Sequence, residues 1–138
     1  MTVSYRRIEE RSTGPSGSAA LDLAPVLGTW LNCDKGASGA ILRMHLWQRD
    51  RALTIRVLGA TGDEPYDWGE VTAEAYANSV TGSEAWAFIA RYDFGFMETS
   101  LYAYTKTGIL VQTSYSVFRD GSGRANYWTR EFFHREEG

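Results

Sequence analysis

The feature that most constrains this chain is a series of eight strand-length runs, each ended by a short cluster of turn residues. The breaks between the runs are rich in Gly, Asp, Asn and Pro, which tolerate tight or left-handed turns. Connections this short join antiparallel neighbours, because a parallel crossover needs about a dozen residues or more. The pattern predicts an all-β fold, an eight-stranded antiparallel up-and-down β-barrel that closes on itself and so exposes no strand edge. The runs cover residues 28–33, 40–49, 52–60, 67–76, 84–93, 96–105, 109–118 and 124–135.

The residues before these runs have a different composition. Residues 12–18 read Ser-Thr-Gly-Pro-Ser-Gly-Ser, a flexible composition with almost nothing to bury. We therefore predict a flexible N-terminal arm over residues 1–20 and a single β-barrel domain over residues 21–138. A chain of 138 residues that is 43% hydrophobic can bury a core of its own without disulfides.

Charge and cysteine content exclude several classes of partner. The net charge is −3 and no basic run exceeds Arg6-Arg7, so no nucleic-acid partner is expected. Cys33 is the single cysteine, which excludes an intrachain disulfide and fits a reducing cytoplasm. Neither His45 nor His134 has a second ligand at a metal-binding spacing, so we expect no metal and no cofactor. Charged residues near the N-terminus and the lack of any long apolar run predict a soluble, cytoplasmic protein with no membrane partner.

The alternation of side chains along each strand predicts which face points into the barrel. For most runs we assign the more apolar face to the interior. In the seventh run this rule places Gln112, Ser114 and Ser116 outside. The predicted inward sets are Leu42, Met44 and Leu46; Leu53, Ile55 and Val57; Trp86, Phe88, Ala90 and Tyr92; Met97, Thr99 and Leu101; Val111, Thr113, Tyr115 and Val117; and Tyr127, Thr129, Glu131 and Phe133.

This interior combines aliphatic walls with a few polar groups, which suits a small-molecule pocket. An eight-stranded barrel is also small enough to be filled by its own side chains, so both outcomes stay open. The candidate ligand-binding residues are Trp30, Asn32, Met44, Phe88, Tyr92, Met97, Thr99 and Thr113.

Glu131 is the candidate for a catalytic or ligand-orienting role, because a carboxyl group on an apolar inner face must be paired, protonated or functional. We predict that Glu131, with Tyr115 and Tyr127, orients a ligand or acts as a general acid or base. The alternative is structural: an ion pair with Arg91 or Arg130, or a hydrogen bond to one of the two tyrosines.

The segment Gly28-Thr29-Trp30-Leu31-Asn32 resembles the first strand of the calycins. It is similar to the Gly-x-Trp start of lipocalins and to the Gly-x-Trp-x-Asn start of avidins. The resemblance implies a closed eight-stranded meander with its ligand inside. It further implies that Trp30 closes the barrel floor under an arginine, here Arg130 or Arg135, and that Asn32 faces the ligand.

A wider set of motifs resembles a group of small bacterial proteins with no settled activity. Those relatives carry a Cys pair before the Asp-Trp-Gly motif, where this chain has residues 59–66 without cysteine. The resemblance supports the fold and implies no ligand. The motifs are the first-strand segment, Asp67-Trp68-Gly69-Glu70-Val71, Tyr92-Asp93-Phe94-Gly95-Phe96-Met97-Glu98, and Phe118 to Tyr127 with Arg130-Glu131-Phe132-Phe133.

Three functional hypotheses follow. The first is binding of a small apolar or amphipathic molecule inside the barrel, without a cofactor. The second is a cofactor-free cyclase or isomerase of natural-product biosynthesis that uses the same cavity. The third is a homo-oligomeric interaction or carbohydrate-binding module whose outer face carries Trp47, Tyr102, Tyr104 and Trp128.

Overall fold

The computed structural model describes residues 3–8, 20–34, 41–61 and 64–137. A one-turn 3₁₀ helix, Ala24–Val26, precedes eight strands that follow one another along the chain. Most of the predicted arm, and parts of the predicted breaks between the first and second runs and between the third and fourth runs, lie outside the described residues. The strands are β1 (Gly28–Asn32), β2 (Ile41–Arg49), β3 (Ala52–Thr61), β4 (Glu64–Tyr76), β5 (Ala87–Asp93), β6 (Met97–Lys106), β7 (Ile109–Phe118) and β8 (Tyr127–Arg135).

The eight strands form one closed barrel in which every strand pairs antiparallel with the next. The last strand returns to the first, with Trp30 opposite Arg135 and Asn32 opposite Phe133. The predicted all-β, eight-stranded, up-and-down barrel is therefore confirmed, and the architecture is compatible with that of the calycins. Among the described residues, no helix combines the length and the apolar character needed to cross a bilayer.

Turn chemistry accounts for the strand order. Between β6 and β7, Lys106 pairs with Ile109, leaving the two-residue turn Thr107-Gly108. Both turn residues have positive φ, 52° and 81°, as a type I′ hairpin requires. This turn fixes the register, so that Leu101 lies opposite Ser114.

One end of the barrel, which we call the floor, is closed by the segment before β1. Leu23 and Val26 are buried there against Trp30. The Trp30 indole Nε1–H donates to the Val26 carbonyl at 3.1 Å. The Arg135 guanidinium lies 4.5 Å from the centre of the indole ring and donates to the Pro25 carbonyl at 2.7 Å. The expected arginine over Trp30 is thus Arg135, whereas Arg130 lies over Phe132 on the outer face.

Most predicted inward faces are confirmed by burial. Met44 and Leu46 of β2, the β3 set, Phe88, Ala90 and Tyr92 of β5, and Thr99 and Leu101 of β6 are buried, as is Phe133 of β8. At the start of β2 the buried residue is Ile41 and Leu42 is half-buried, because a register irregularity falls between Ile41 and Arg43.

Two predictions of orientation are wrong. Trp86 precedes β5 and is exposed, so it does not extend the inward set of that strand. In β7 the inward face carries Leu110, Gln112, Ser114 and Ser116, all buried. The predicted set points outward instead: Thr113 and Tyr115 lie opposite Tyr102 and Ser100, and Tyr115 and Val117 are exposed. The hairpin register decides this orientation, because a residue directly opposite inward-facing Leu101 must also face inward.

The floor gives a direct stability prediction. Trp30→Ala removes a fully buried indole and leaves a cavity, which we expect to lower the free energy of unfolding by about 3–5 kcal/mol. Trp128→Ala is the matched control, because Trp128 is 60% exposed on β8. It should change that free energy by less than about 1 kcal/mol. Urea denaturation followed by circular dichroism measures both, and equal effects would contradict the role of Trp30.

Candidate functional site

The inside of the barrel is sealed at the floor and reached by solvent at the other end, which we call the mouth. The mouth is the end at which β1, β3, β5 and β7 finish. Near the floor, Val26, Leu110 and Phe133 have no exposed surface. Nearer the mouth, the inward-facing Thr129 and Glu131 are only half-buried. Solvent therefore reaches inward-facing side chains at the mouth and not at the floor.

Polar side chains cover one side of the interior, which we call the polar wall. Across it, the Thr99 and Ser116 hydroxyls lie 2.9 Å apart, and the Ser114 and Thr129 hydroxyls 2.6 Å apart. These hydroxyl pairs satisfy each other, so they cost little when buried. The polar wall consists of Thr99, Gln112, Ser114, Ser116, Thr129 and Glu131, contributed by β6, β7 and β8.

Asn32 holds Glu131 in place across the junction of β8 with β1. Its Nδ2 donates to the Glu131 Oε2 at 2.5 Å and to the Ile41 carbonyl at 2.8 Å, while its Oδ1 accepts from the Asp34 N–H at 2.8 Å. The Ile41 N–H lies 3.5 Å from the Glu131 Oε1. Both oxygens of Glu131 therefore accept hydrogen bonds, and Oε1, with the longer contact, is the less strongly held of the two.

Burial raises the pKa of Glu131 above the usual value of 4.5, and the nearby Asp34 adds to this effect. The hydrogen bonds from Asn32 and Ile41 act in the opposite direction, because they stabilise the ionised form. Neither Arg91 nor Arg130 forms an ion pair with Glu131, since Arg91 binds Glu74 and Arg130 faces outward. The structural alternative of an arginine or tyrosine partner for Glu131 is therefore wrong, and its place is taken by Asn32.

Aromatic rings line the mouth on the side of β4 to β8. Trp68 contacts Tyr92 and Phe94 edge to face, with ring centres 5.5 and 5.4 Å apart. The indole also needs Gly59 beneath it, because a Cβ there would lie 2.7 Å from the indole nitrogen. The chain of contacts continues from Phe94 through Phe96 and Phe118 to Tyr127. These rings form a continuous series of aromatic contacts around this side of the mouth. The mouth aromatics are Trp68, Tyr92, Phe94, Phe96, Phe118 and Tyr127.

The turn between β7 and β8 places a cation at this mouth. The Arg124 guanidinium lies 4.2 Å from the centre of the Phe118 ring and 5.7 Å from that of Phe96. Asp120 and Ser122 hold it there through hydrogen bonds of 2.7 and 2.9 Å. A ligand that enters along the aromatic rings would therefore pass Arg124.

The predicted ligand-binding residues lie in different parts of the barrel. Trp30, Met44 and Phe88 are sealed in the core and have no contact with the mouth. Asn32 holds Glu131, and Thr99 belongs to the polar wall. Tyr92 is buried, with its hydroxyl 3.0 Å from the Gly69 carbonyl, and burial raises its pKa. Met97 is half-buried at the mouth end of β6, whereas Thr113 lies on the outer face, so its predicted inward position is wrong.

The predicted catalytic residues do not come together as a group. Glu131 faces the interior as expected. Tyr115 is 52% exposed on the outer face, packed edge to face against Tyr102, so it cannot act with Glu131. Tyr127 belongs to the inward phase of β8 but is exposed at the rim of the mouth against Phe118.

Sequence reasoning missed Gln112, Ser114 and Ser116 as interior residues. The available signal was the turn Thr107-Gly108, whose two-residue length places Ser114 opposite Leu101. Within the described chain, the Nε2 and Oε1 of Gln112 are the two buried side-chain polar atoms without a hydrogen-bond partner.

The outer face of β6 and β8 carries the aromatic residues expected there. Tyr102, Tyr104 and Trp128 are exposed, while Trp47 on β2 is half-buried beneath Arg49. A shallow outer groove of about 250 Å³ crosses β4 to β7, where Tyr76, Ile89, Tyr102, Tyr104 and Thr113 are among its lining residues.

Comparison with known proteins adds no assignment. No family of known proteins matches the chain, and neither a curated protein nor a solved structure matches it. The site must therefore be interpreted from its own chemistry. Among the described residues, no three His, Cys, Asp or Glu side chains are grouped as a metal site requires.

The raised pKa of Glu131 predicts that the free energy of unfolding depends on pH. The folded protein binds the proton of Glu131 more tightly than the unfolded chain does, so protonation stabilises the fold. This contribution to the free energy of unfolding is fully present below the usual pKa of a glutamate. It is lost as the pH rises through the folded pKa. We expect the stability of the wild type relative to Glu131→Gln to fall between acid and neutral pH and then level off. Urea denaturation of both proteins over that range measures it, and a relative stability that rises with pH would show a lowered pKa instead.

Proposed function

We propose that this barrel binds a small amphipathic molecule, with the apolar part of the molecule among the mouth aromatics and its polar end against the polar wall. No cofactor takes part. The proposal concerns the mouth half of the interior, since the floor half is filled by side chains such as Trp30 and Phe88.

The observation that carries the proposal is the position of Glu131. It is a half-buried carboxyl group on the inner wall, held by Asn32 and accessible to solvent from the mouth. Burying part of a carboxyl group costs free energy, and no described arginine or lysine offsets that cost at this site. Groups of this kind, with shifted pKa values in a concave site, are frequent in ligand-binding and catalytic sites.

The surroundings favour an amphipathic ligand. Aromatic rings bury a large apolar area for each side chain, so the mouth aromatics provide most of the binding free energy. Hydroxyl groups and a carboxyl group fix the orientation of the polar end. Small side chains occupy the inward positions Ala90, Ser114 and Ser116, beyond the row in which Ala75 and Ala103 lie opposite Phe88.

Blocking the mouth tests the location of the site. Thr129→Phe adds a ring on the inner wall, and we expect it to weaken binding of the neutral dye Nile red at least about tenfold, because the ring occupies the ligand's volume. Thr113→Phe is the matched control, since Thr113 faces outward on the adjacent strand. Fluorescence titration measures both affinities, with circular dichroism to verify folding.

Met97→Trp provides a second blocking variant at the mouth end of β6, in case the loss of the Thr129 hydroxyl destabilises the barrel. Native mass spectrometry of the purified protein, compared with its denatured mass, detects any molecule that copurifies. Equal dye affinity in all three variants and the wild type would overturn the interior site. Loss of affinity in Thr113→Phe alone would move binding to the outer groove.

A second function, acid or base catalysis by Glu131, is favoured by the same raised pKa. A carboxyl group with a raised pKa is present in both forms nearer neutral pH. Its protonated form can donate a proton to a carbonyl, and its ionised form can take a proton from carbon. With Oε2 bound to Asn32, this proton would be exchanged at Oε1. Such chemistry suits a cofactor-free isomerisation or cyclisation, in which the barrel supplies the shape.

Copurification distinguishes a binder from a catalyst. A binder should carry the same compound in the wild type and in Glu131→Gln, because the substitution preserves the size of the side chain. A catalyst should carry product in the wild type and accumulated substrate in the variant. Liquid chromatography of the extracted compounds separates isomers of equal mass, and identical retention times would reject the catalytic function.

A further inference from the structure

Gln112 is an anomaly inside this barrel. Its side chain is fully buried on the inner face of β7, between Ala103 of β6 and Glu131 of β8. Among the described residues, neither its Nε2 nor its Oε1 has a hydrogen-bond partner. By contrast, the other buried polar side chains of the polar wall form hydroxyl pairs.

The fold does not explain this amide. A buried polar group without a partner costs about 1–3 kcal/mol, whereas a leucine of similar size would add apolar burial at the same place. Glu131, directly opposite, does not serve as the partner, because Asn32 and the Ile41 N–H hold its oxygens on the side of β1 and β2. Buried polar groups left unpaired in native proteins call for a specific explanation, and ligand binding is one that fits an inner wall.

We propose that Gln112 recognises a neutral carboxamide or lactam at the polar end of the ligand, through two reciprocal hydrogen bonds. The Nε2 donates to the ligand carbonyl, and the Oε1 accepts from the ligand N–H. This inference rests on the proposed binding function and adds the chemical class of the ligand. Solvent does not touch the amide, so binding requires Gln112 to turn toward the mouth about its three rotatable side-chain bonds.

Counting donors and acceptors selects this class over others. An ammonium group pairs with Oε1 and leaves Nε2 without an acceptor. A carboxylate or an ester pairs with Nε2 and leaves Oε1 without a donor. A carboxamide or lactam presents both a donor and an acceptor side by side, so it satisfies both atoms at once.

Charge supports a neutral ligand. The inward-facing side chains of the described strands include no arginine or lysine, and Glu131 is the one carboxyl group of the polar wall. A carboxylate on the ligand would lie near Glu131 with no inward-facing cation on the described strands to offset the repulsion, because Arg124 at the rim is already paired with Asp120. A neutral amide has no such cost.

A panel of four compounds with one alkyl chain tests the inference: a primary amide, the corresponding carboxylic acid, the amine and the methyl ester. We expect the wild type to bind the amide at least about tenfold more tightly than each of the others at neutral pH, since each of the others leaves one atom of the Gln112 amide without a partner. Isothermal titration calorimetry measures the four affinities.

Gln112→Leu should bind all four compounds with similar affinity while its stability equals or exceeds that of the wild type. Gln48→Leu is the matched control, because Gln48 is exposed at the end of β2, and it should keep the preference for the amide. If the compounds bind the wild type without preference, or if Gln112→Leu keeps the preference, the role of Gln112 is overturned and the binding function stands. If none of the four binds and Nile red also fails to bind, the binding function itself is overturned.

Discussion

The pairing of β1 with β8 is the interaction on which the other features depend. β1 has five residues, and its three register pairs with β8 are extended by hydrogen bonds from the Cys33 N–H to the Phe132 carbonyl and from the Glu136 N–H to the Thr29 carbonyl. This pairing turns an open sheet into a barrel without edges. It also brings Arg135 onto Trp30 and Asn32 onto Glu131, so one strand pair builds both the floor and the site.

The two ends of the barrel differ in how completely their buried polar groups are paired. At the floor, apolar side chains are buried together with the Trp30 indole. The indole N–H is paired with the Val26 carbonyl. Toward the mouth, Glu131 and Gln112 carry desolvation costs that the floor must offset. Functional sites commonly lower stability in this way, because groups poised for a ligand are not arranged for the best packing.

Turn spacing was sufficient to predict the fold, because hairpins such as Thr107-Gly108 determine strand order locally. The candidate site was only partly predictable. Glu131 stood out as a carboxyl group in an apolar context, but its contact with Asn32 joins residues 99 positions apart and depends on barrel closure. The orientation of β7 was missed because its outer residues, including Val111 and Tyr115, are more apolar than its inner ones. Composition and register disagree there, and register is decisive because one turn residue more or fewer would reverse both faces.

That reversal on β7 is itself informative. The hydroxyl pairs of Ser114 and Ser116 are self-contained, so they account for polarity inside the barrel at little cost. Gln112 does not belong to that arrangement, since its amide has no hydrogen-bond partner among the described residues. The outer aromatics Tyr115 and Trp128 cannot compensate, because they lie on the opposite face of the same strands. The described residues therefore supply no partner for the amide, and a molecule that enters through the mouth is the partner we propose.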